Sequence, residues 1–238
     1  MDKKEIITQI RKLRLSDISD ALDVMGLVGT QVMDPKMRPI KQEMFPSGCM
    51  AGYAFTEAWE FEKNTEFEDA GSVEAYYKKM GEMFKGLKLD QVSPFEDDNT
   101  DKVMVVDFAG EPIGLLGSEN MMAGMLSGYS GYVIDGGIRD SYEVKIEDIP
   151  AWCTVQTCNH FYGRVNITAI KRNVTIQCAG VTVNPGDVVC ADDDGVIVIP
   201  IEKAELVIKY ASEIKRIDQN TRKDHYEKAH KEFDGTLN

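Results

Sequence analysis

Apolar positions recur at helical spacing near both ends of the chain. Ile18, Ala21, Leu22 and Met25 fall at i, i+3, i+4 and i+7, the stripe of an amphipathic helix. Residues 3 to 29 therefore read as one or two helices. Ser16 is the expected N-cap, Asp17 suits the positive end of the helix dipole, and Gly26 or Gly29 is the expected stop. Asp17, Asp20 and Asp23 are expected on a solvated face. At the other end, Ala204, Val207, Ile208, Ala211, Ile214 and Ile217 mark one face of a long helix from about 201 to 230.

Between these helices the apolar runs are short and continuous. SGCMAGYAFT, residues 47 to 56, reads as a strand with close backbone approach at Gly48 and Gly52. VMVVDFAG reads as a strand ending at Gly110. GLLGSENMMAGMLSG, 114 to 128, reads as a turn and a helix, and YVIDGG as the next strand, so that strand, helix and strand form a βαβ unit. Residues 144 to 200 are mostly strand-like. They include ITAIKRNVTI, a turn at Pro185-Gly186 and a strand pair around DDDGVIVIP, which together predict a packed β layer. Residues 57 to 101 differ. They are rich in Glu and Asp, carry Tyr76-Tyr77, and predict a helix near 72 to 85 followed by the surface loop SPFEDDNTD. This acidic segment is a candidate insertion or lid, or a plain solvated excursion.

Composition adds bounds. A chain of 238 residues, 43 % hydrophobic and 28 % charged, has the make-up of an ordinary globular protein. Its net charge of −13 gives no basic face for nucleic acid. No apolar run has transmembrane length, and MDKKEIITQIRKLRLSD has no signal-peptide pattern, so a cytoplasmic protein is expected. The five cysteines are expected to be buried thiols rather than a disulfide framework. Cys153, Cys158 and His160 faintly resemble a zinc spacing, but no second ligand pair completes it, and core packing is the preferred reading. Asn166-Ile-Thr and Asn173-Val-Thr match glycosylation acceptors, which without a secretion signal are chance matches.

Candidate chemistry concentrates in GYVIDGGIRDSYE, residues 131 to 143. A core strand reaches Gly136-Gly137, expected to turn there, and is followed by Arg139, Asp140 and Glu143. In α/β layers the carboxyl ends of strands are where ligands bind. Upstream, Gly117-Ser118-Glu119-Asn120 opens a helix, whose unpaired amides suit a carboxylate or phosphate. Arg139 adds a planar fork of donors, and Asp140 a hard oxygen for a divalent cation. If a helix begins there, Glu143 shares a face with Asp140. A 2-oxo acid suits this set: carboxylate on the amides, oxo group on the metal, and Arg139 stabilising the enolate charge. Adjacent Arg and Asp after a turn also suit a plain surface ion pair.

Several segments together resemble the RraA-like family, which includes 4-hydroxy-4-methyl-2-oxoglutarate aldolases. They are LSDISDALDVMG, AGYAFT, VMVVDFAG, VTVNPGDVVCADDDGVIVIP, and a glycine about twenty residues before Arg139-Asp140-x-x-Glu143. The resemblance covers most of the chain. It implies one domain over 1–238 with an acidic insertion at about 57–101, and an α/β fold, a layered β/β/α sandwich with a long C-terminal helix. It also implies homotrimers or hexamers with sites at subunit interfaces. The implied reaction is class II, metal-dependent cleavage of a 4-hydroxy-2-oxo acid to pyruvate, with oxaloacetate decarboxylation beside it. Carried over, Gly117, Ser118, Glu119 and Asn120 cradle the substrate, Arg139 binds it, and Asp140 ligates Mg2+ or Mn2+. Glu143 stands behind, and Asp218 or Glu213 of a neighbouring subunit holds a water of the metal. Other family members are non-catalytic regulators that bind a ribonuclease. Two departures stand out: Ser118 occupies the position where family aldolases commonly carry an acid, with Glu119 one step later, and residues 57 to 101 are longer than the family's usual segment.

Overall fold

A computed structural model of the chain describes residues 1–62, 70–85 and 101–235. Its main sheet has nine strands. Four are parallel neighbours: β2 (Met50–Ala58), β3 (Lys102–Asp107), β5 (Tyr129–Ile138) and β6 (Ala151–Gln156), in the order β6-β5-β3-β2. The hairpin β10 (Val188–Ala191) and β11 (Val196–Ile199) continues the sheet beyond β2, antiparallel to it. β1 (Arg38–Pro39) lies on the outer side of β6. The sheet nearly closes on itself. Val32 bridges to Ile197 on one edge, while Arg38 and Pro39 pair with β6 on the other, so one short segment ties the two edges together.

The layers follow from which faces are apolar. Along β10, Val188 and Cys190 face a helical layer, while Val189 and Ala191 face the opposite side. Both faces are covered, which is why VVCA and VIVI are continuous apolar runs rather than alternating ones. The helical layer is α1 (Lys3–Ile10), α2 (Leu15–Val24) and α6 (Ala204–Lys228); Ile10, Ile18, Leu22, Val207 and Ala211 meet there. On the other face sits the hairpin β8 (Ile176–Cys178) and β9 (Val181–Val183), which buries Ile176, Cys178, Val181 and Val183 against Val103, Val105 and Val133. This is the expected β/β/α layering. A third cluster lies beneath α4 (Ser118–Leu126) and α5 (Ser141–Ile146), around Met121, Tyr132, Ile134 and Val144.

The helix expected near 72 to 85 is α3 (Val73–Lys85). The loop expected after it falls on 93 to 101 and, apart from Asp101, lies outside the described residues. The βαβ unit forms, with β3 and β5 parallel and adjacent. Gly26 follows α2 at φ 78°, the left-handed stop expected of it.

Several expectations are corrected. Ser16 does not cap α2; Arg14 holds the N-cap position, and the Leu15 N–H donates to Asp192 from the β10–β11 turn at 3.2 Å. Asp17 is not solvated. It is 1 % exposed because Arg14 grips it, Nε to Oδ2 at 2.9 Å, whereas Asp20 and Asp23 are exposed as expected. Gly114–Leu116 is a strand, β4, paired parallel to β5, not a turn. ITAIKRNVTI is mostly irregular, with a 3-10 turn at Ile167–Ala169 and only the two-residue β7 (Lys171–Arg172) before β8. Four cysteines are buried thiols, but Cys158 is exposed. The most informative correction concerns Gly136-Gly137. The chain does not turn there; β5 runs through both glycines to Ile138. A Cβ on Gly137 would collide with the Ile113 carbonyl, and one on Gly136 would press Phe108 at 3.1 Å. These glycines let neighbouring backbone pack against a strand with a register shift, rather than reverse the chain.

Candidate active site

Because β2, β3, β5 and β6 are parallel, their carboxyl ends share one edge of the sheet. β5 delivers Arg139 and Asp140 to that edge. The Arg139 N–H donates to the Leu116 carbonyl at 3.1 Å, which fixes Arg139 against the end of β4. Asp140 then adopts the left-handed conformation, φ 57° and ψ 37°, and caps α5. A non-glycine residue held there costs roughly 1 kcal/mol or more, a cost that clusters at functional positions.

The chain following β4 returns to the same point. Gly117 is the N-cap of α4, whose first turn is Ser118, Glu119 and Asn120. A Cβ on Gly117 would collide with Asp140 Oδ2 and lie 3.2 Å from Arg139 Nε. The positive end of α4 therefore abuts both charged groups, and only glycine fits between. Gly117 and Ser118 are buried, whereas Glu119 and Asn120 are exposed at the rim. Arg139 and Asp140 are about a third exposed, and their own contact is loose, Nε to Oδ2 at 3.5 Å. Both keep capacity for a ligand. Glu143 is exposed in the first turn of α5, three residues past Asp140.

The two carboxylates expected from the C-terminal helix are on α6, in the helical layer. Asp218 is engaged within its own chain, by Arg14 at 2.8 Å and Arg222 at 3.3 Å. Burial opposes its charge, but these two guanidinium groups hold it below the usual carboxylate range. Glu213 is exposed. Neither is brought to Arg139 and Asp140 within one chain by any contact among the described residues. No three His, Cys, Asp or Glu side chains converge as a metal cluster among the described residues. Asp140 nonetheless suits a divalent cation that keeps most of its water: it is a hard, partly exposed oxygen beside a cradle that one methyl group would fill.

One residue near the pair was noticed in the sequence only as a stray zinc candidate. His160 bridges to Gly114, and the Gly114 N–H donates to the Asn159 carbonyl at 3.0 Å. Burial, then the charges of Arg139 and Arg164, push its pKa down to about 4 against the opposing pull of Asp140. The ring is neutral near pH 7. Its Nδ1 lies 3.0 Å from the Tyr76 hydroxyl on α3. Residues 84 positions apart give no local signal, so sequence reasoning had no route to this pair.

The fold and site define an α/β protein in which a helix N-terminus faces an Arg–Asp pair at the carboxyl end of a parallel sheet. The chain belongs to the RraA-like family: residues 15–198 match its model, described as Aldolase/RraA. A protein of Halalkalibacterium halodurans, named "Putative 4-hydroxy-4-methyl-2-oxoglutarate aldolase", is 35% identical over 124 residues, 50% of this chain and 56% of that one. Protein DlpA of Legionella pneumophila is 25% identical over 207 residues, 85% of this chain but 29% of DlpA. The matches thus span about half or less of these two relatives. Streptomyces coelicolor RraAS2, described as an unusual member of the RNase ES inhibitor RraA protein family, has the same fold. Its TM-score is 0.70 at 21% identity, covering 92% of this chain and 96% of that one. Among the described residues no helix is long and apolar enough to cross a membrane.

Proposed function

We propose that the protein is a divalent-metal-dependent aldolase that cleaves a 4-hydroxy-2-oxo acid to pyruvate, with oxaloacetate decarboxylation as a side activity. The observation that carries this reading is the contact of Gly117 with Asp140 and Arg139, which joins an anion-binding helix end to a cation-binding carboxylate. The aldolase names among its relatives support it.

In this reading the amides of Ser118, Glu119 and Asn120 hold the substrate carboxylate. Arg139 lies against the 2-oxo oxygen and stabilises negative charge as it develops there. Asp140 holds Mg2+ or Mn2+, which when bound supplies Lewis-acid polarisation of the oxo group. A base takes the C4 hydroxyl proton, the C4–O pair forms the new carbonyl as the C3–C4 electron pair passes into pyruvate enolate, and the carbonyl fragment leaves. Protonation of the enolate at C3 gives pyruvate. The motif has no Lys, so a Schiff base is not the route. Glu119 takes the part of the acid that family aldolases commonly carry at the Ser118 position, and Glu143 supports Asp140 from α5. A homotrimer or hexamer would let α6 of one subunit bring Glu213 or Asp218 to a neighbour's site. For Asp218 this requires release from Arg14 or Arg222, which favours Glu213.

The test is pyruvate release, coupled to lactate dehydrogenase, from 4-hydroxy-4-methyl-2-oxoglutarate and from oxaloacetate, with Mg2+ and then with EDTA. Release that stops in EDTA and returns with metal is the expected result; full activity in chelator would sink the metal mechanism. The second reading is a non-catalytic regulator that docks on basic segments of a ribonuclease, which the net charge of −13 favours. Absence of pyruvate together with pull-down of a ribonuclease scaffold would select it.

A further inference from the structure

We infer that Tyr76 and His160 are positioning residues for the part of the substrate that leaves as a carbonyl fragment, and that α3 thereby sets which fragment fits. This rests on the aldolase reading above. The pair forms a continuous line of contacts to the chemistry. Tyr76 bonds His160 Nδ1 at 3.0 Å, the His160 main chain bridges to that of Gly114, and Gly114 packs on Arg139 so closely that a Cβ there would lie 3.1 Å from Arg139 Cβ. In this inference a ligand held by Arg139 and extending toward His160 would meet the imidazole and then Tyr76 of α3.

The wall it meets is built rather than incidental. His160 packs on Phe161 at 4.5 Å between ring centroids, and Tyr76 stands edge-on to Tyr162 at 4.9 Å. Phe161 in turn meets Trp59, which follows β2. Rings with few rotatable bonds cost little entropy to order and present both an apolar face and a polar tip. The Tyr76 bond fixes the orientation of the imidazole, and among the described residues its other nitrogen takes no hydrogen bond, so a ligand group can use it. Arg164 turns its Nη1 onto the main-chain carbonyls of His160 and Tyr162, at 2.7 and 3.4 Å. These bonds hold the main chain of residues 160–162 in place. The acidic segment thus contributes a specific side chain to the site wall.

Steady-state kinetics of Tyr76→Phe and His160→Gln test this, on 4-hydroxy-4-methyl-2-oxoglutarate and on oxaloacetate, which loses only carbon dioxide and has no carbonyl fragment to seat. The ratio of kcat/KM for aldol cleavage to that for decarboxylation is expected to fall about tenfold in each variant, the size of one lost hydrogen bond, with the loss carried by KM. Tyr77→Phe, one residue along α3, is expected to leave both reactions at wild-type rates. Equal falls on the two substrates, or no fall on either, would overturn this inference and leave the aldolase reading standing. Wild-type protein that releases no pyruvate from either substrate would overturn both.

Discussion

Asp17 and Asp140 each sit beside an arginine at the start of a helix, and the fold treats them in opposite ways. Asp17 is sunk to 1 % exposure and gripped by Arg14, which also reaches Asp218. Every charge in that cluster is spent on the others. Asp140 lies partly open, in a strained left-handed conformation, with Arg139 only loosely against it and a glycine cut to fit its carboxylate. The first arrangement holds helices together. The second leaves an anion site and a cation site side by side, at a conformational cost that the fold must offset elsewhere.

The sharpest way to break this contrast is to remove each aspartate. Asp140→Ala is expected to lower pyruvate release by about a thousandfold or more, with little change in Tm. Asp140→Gly should be equally inactive yet more stable by about 1 kcal/mol, because glycine accepts the left-handed conformation without strain. Urea melts beside the coupled assay would show both. An Asp140→Gly protein that is less stable than wild type would mean that the carboxylate holds α5 in place rather than serving a ligand. Gly117→Ala comes next. Its methyl group must displace the Asp140 carboxylate, so activity is expected to fall by about a hundredfold, the effect of misplacing a reacting group by an ångström.

Asp17→Ala should do the reverse. Stability should fall by about 2 kcal/mol, less than for a fully buried pair because Arg14 is about a third exposed and keeps Asp218. Turnover per folded molecule should not change. Loss of turnover in a folded Asp17→Ala protein would favour Asp218, which shares Arg14 with Asp17, over Glu213 as the α6 carboxylate that serves a neighbouring site.

The same contrast explains what the sequence made legible. Helices α2, α3 and α6, the βαβ unit and the turns at Pro185-Gly186 and Gly195 follow from periodicity and turn chemistry, which are local. Gly117, Arg139 and Asp140 were singled out because strand ends and helix starts mark where backbone is exposed, and the fold brings these three into contact. Asp17 was misread because its burial depends on how Arg14 folds back before the helix, which no apolar spacing reports. Gly136-Gly137 resembled a turn because the reason for them, the Ile113 carbonyl, comes from the chain just before β4, more than twenty residues away. Tyr76 and His160 meet only through the tertiary fold, 84 positions apart in the chain.

The smallest expected effect lies at the end of β3, where Asp107 is the register partner of Asp135 within β5. Burial above all, with the Asp135 charge, raises the Asp107 pKa against the N–H groups that Ala109 and Gln177 donate to it. A carboxyl whose folded pKa is raised stabilises the fold fully below its unfolded value and loses that contribution as pH rises through the folded value. Asp218 has the opposite sign: its lowered pKa contributes above the unfolded value and is lost as pH falls through the folded one. Asp107→Asn should therefore raise Tm slightly at pH 7, and the gain should close as pH drops to 4 and below. Asp218→Asn should lower Tm slightly at pH 7, with that deficit closing at acid pH. Melting curves of both variants across this range would separate the two regions by sign alone. A gain for Asp107→Asn that persists at low pH would mean that its packing in the strand end, and not its charge, is what the wild-type protein carries as a cost.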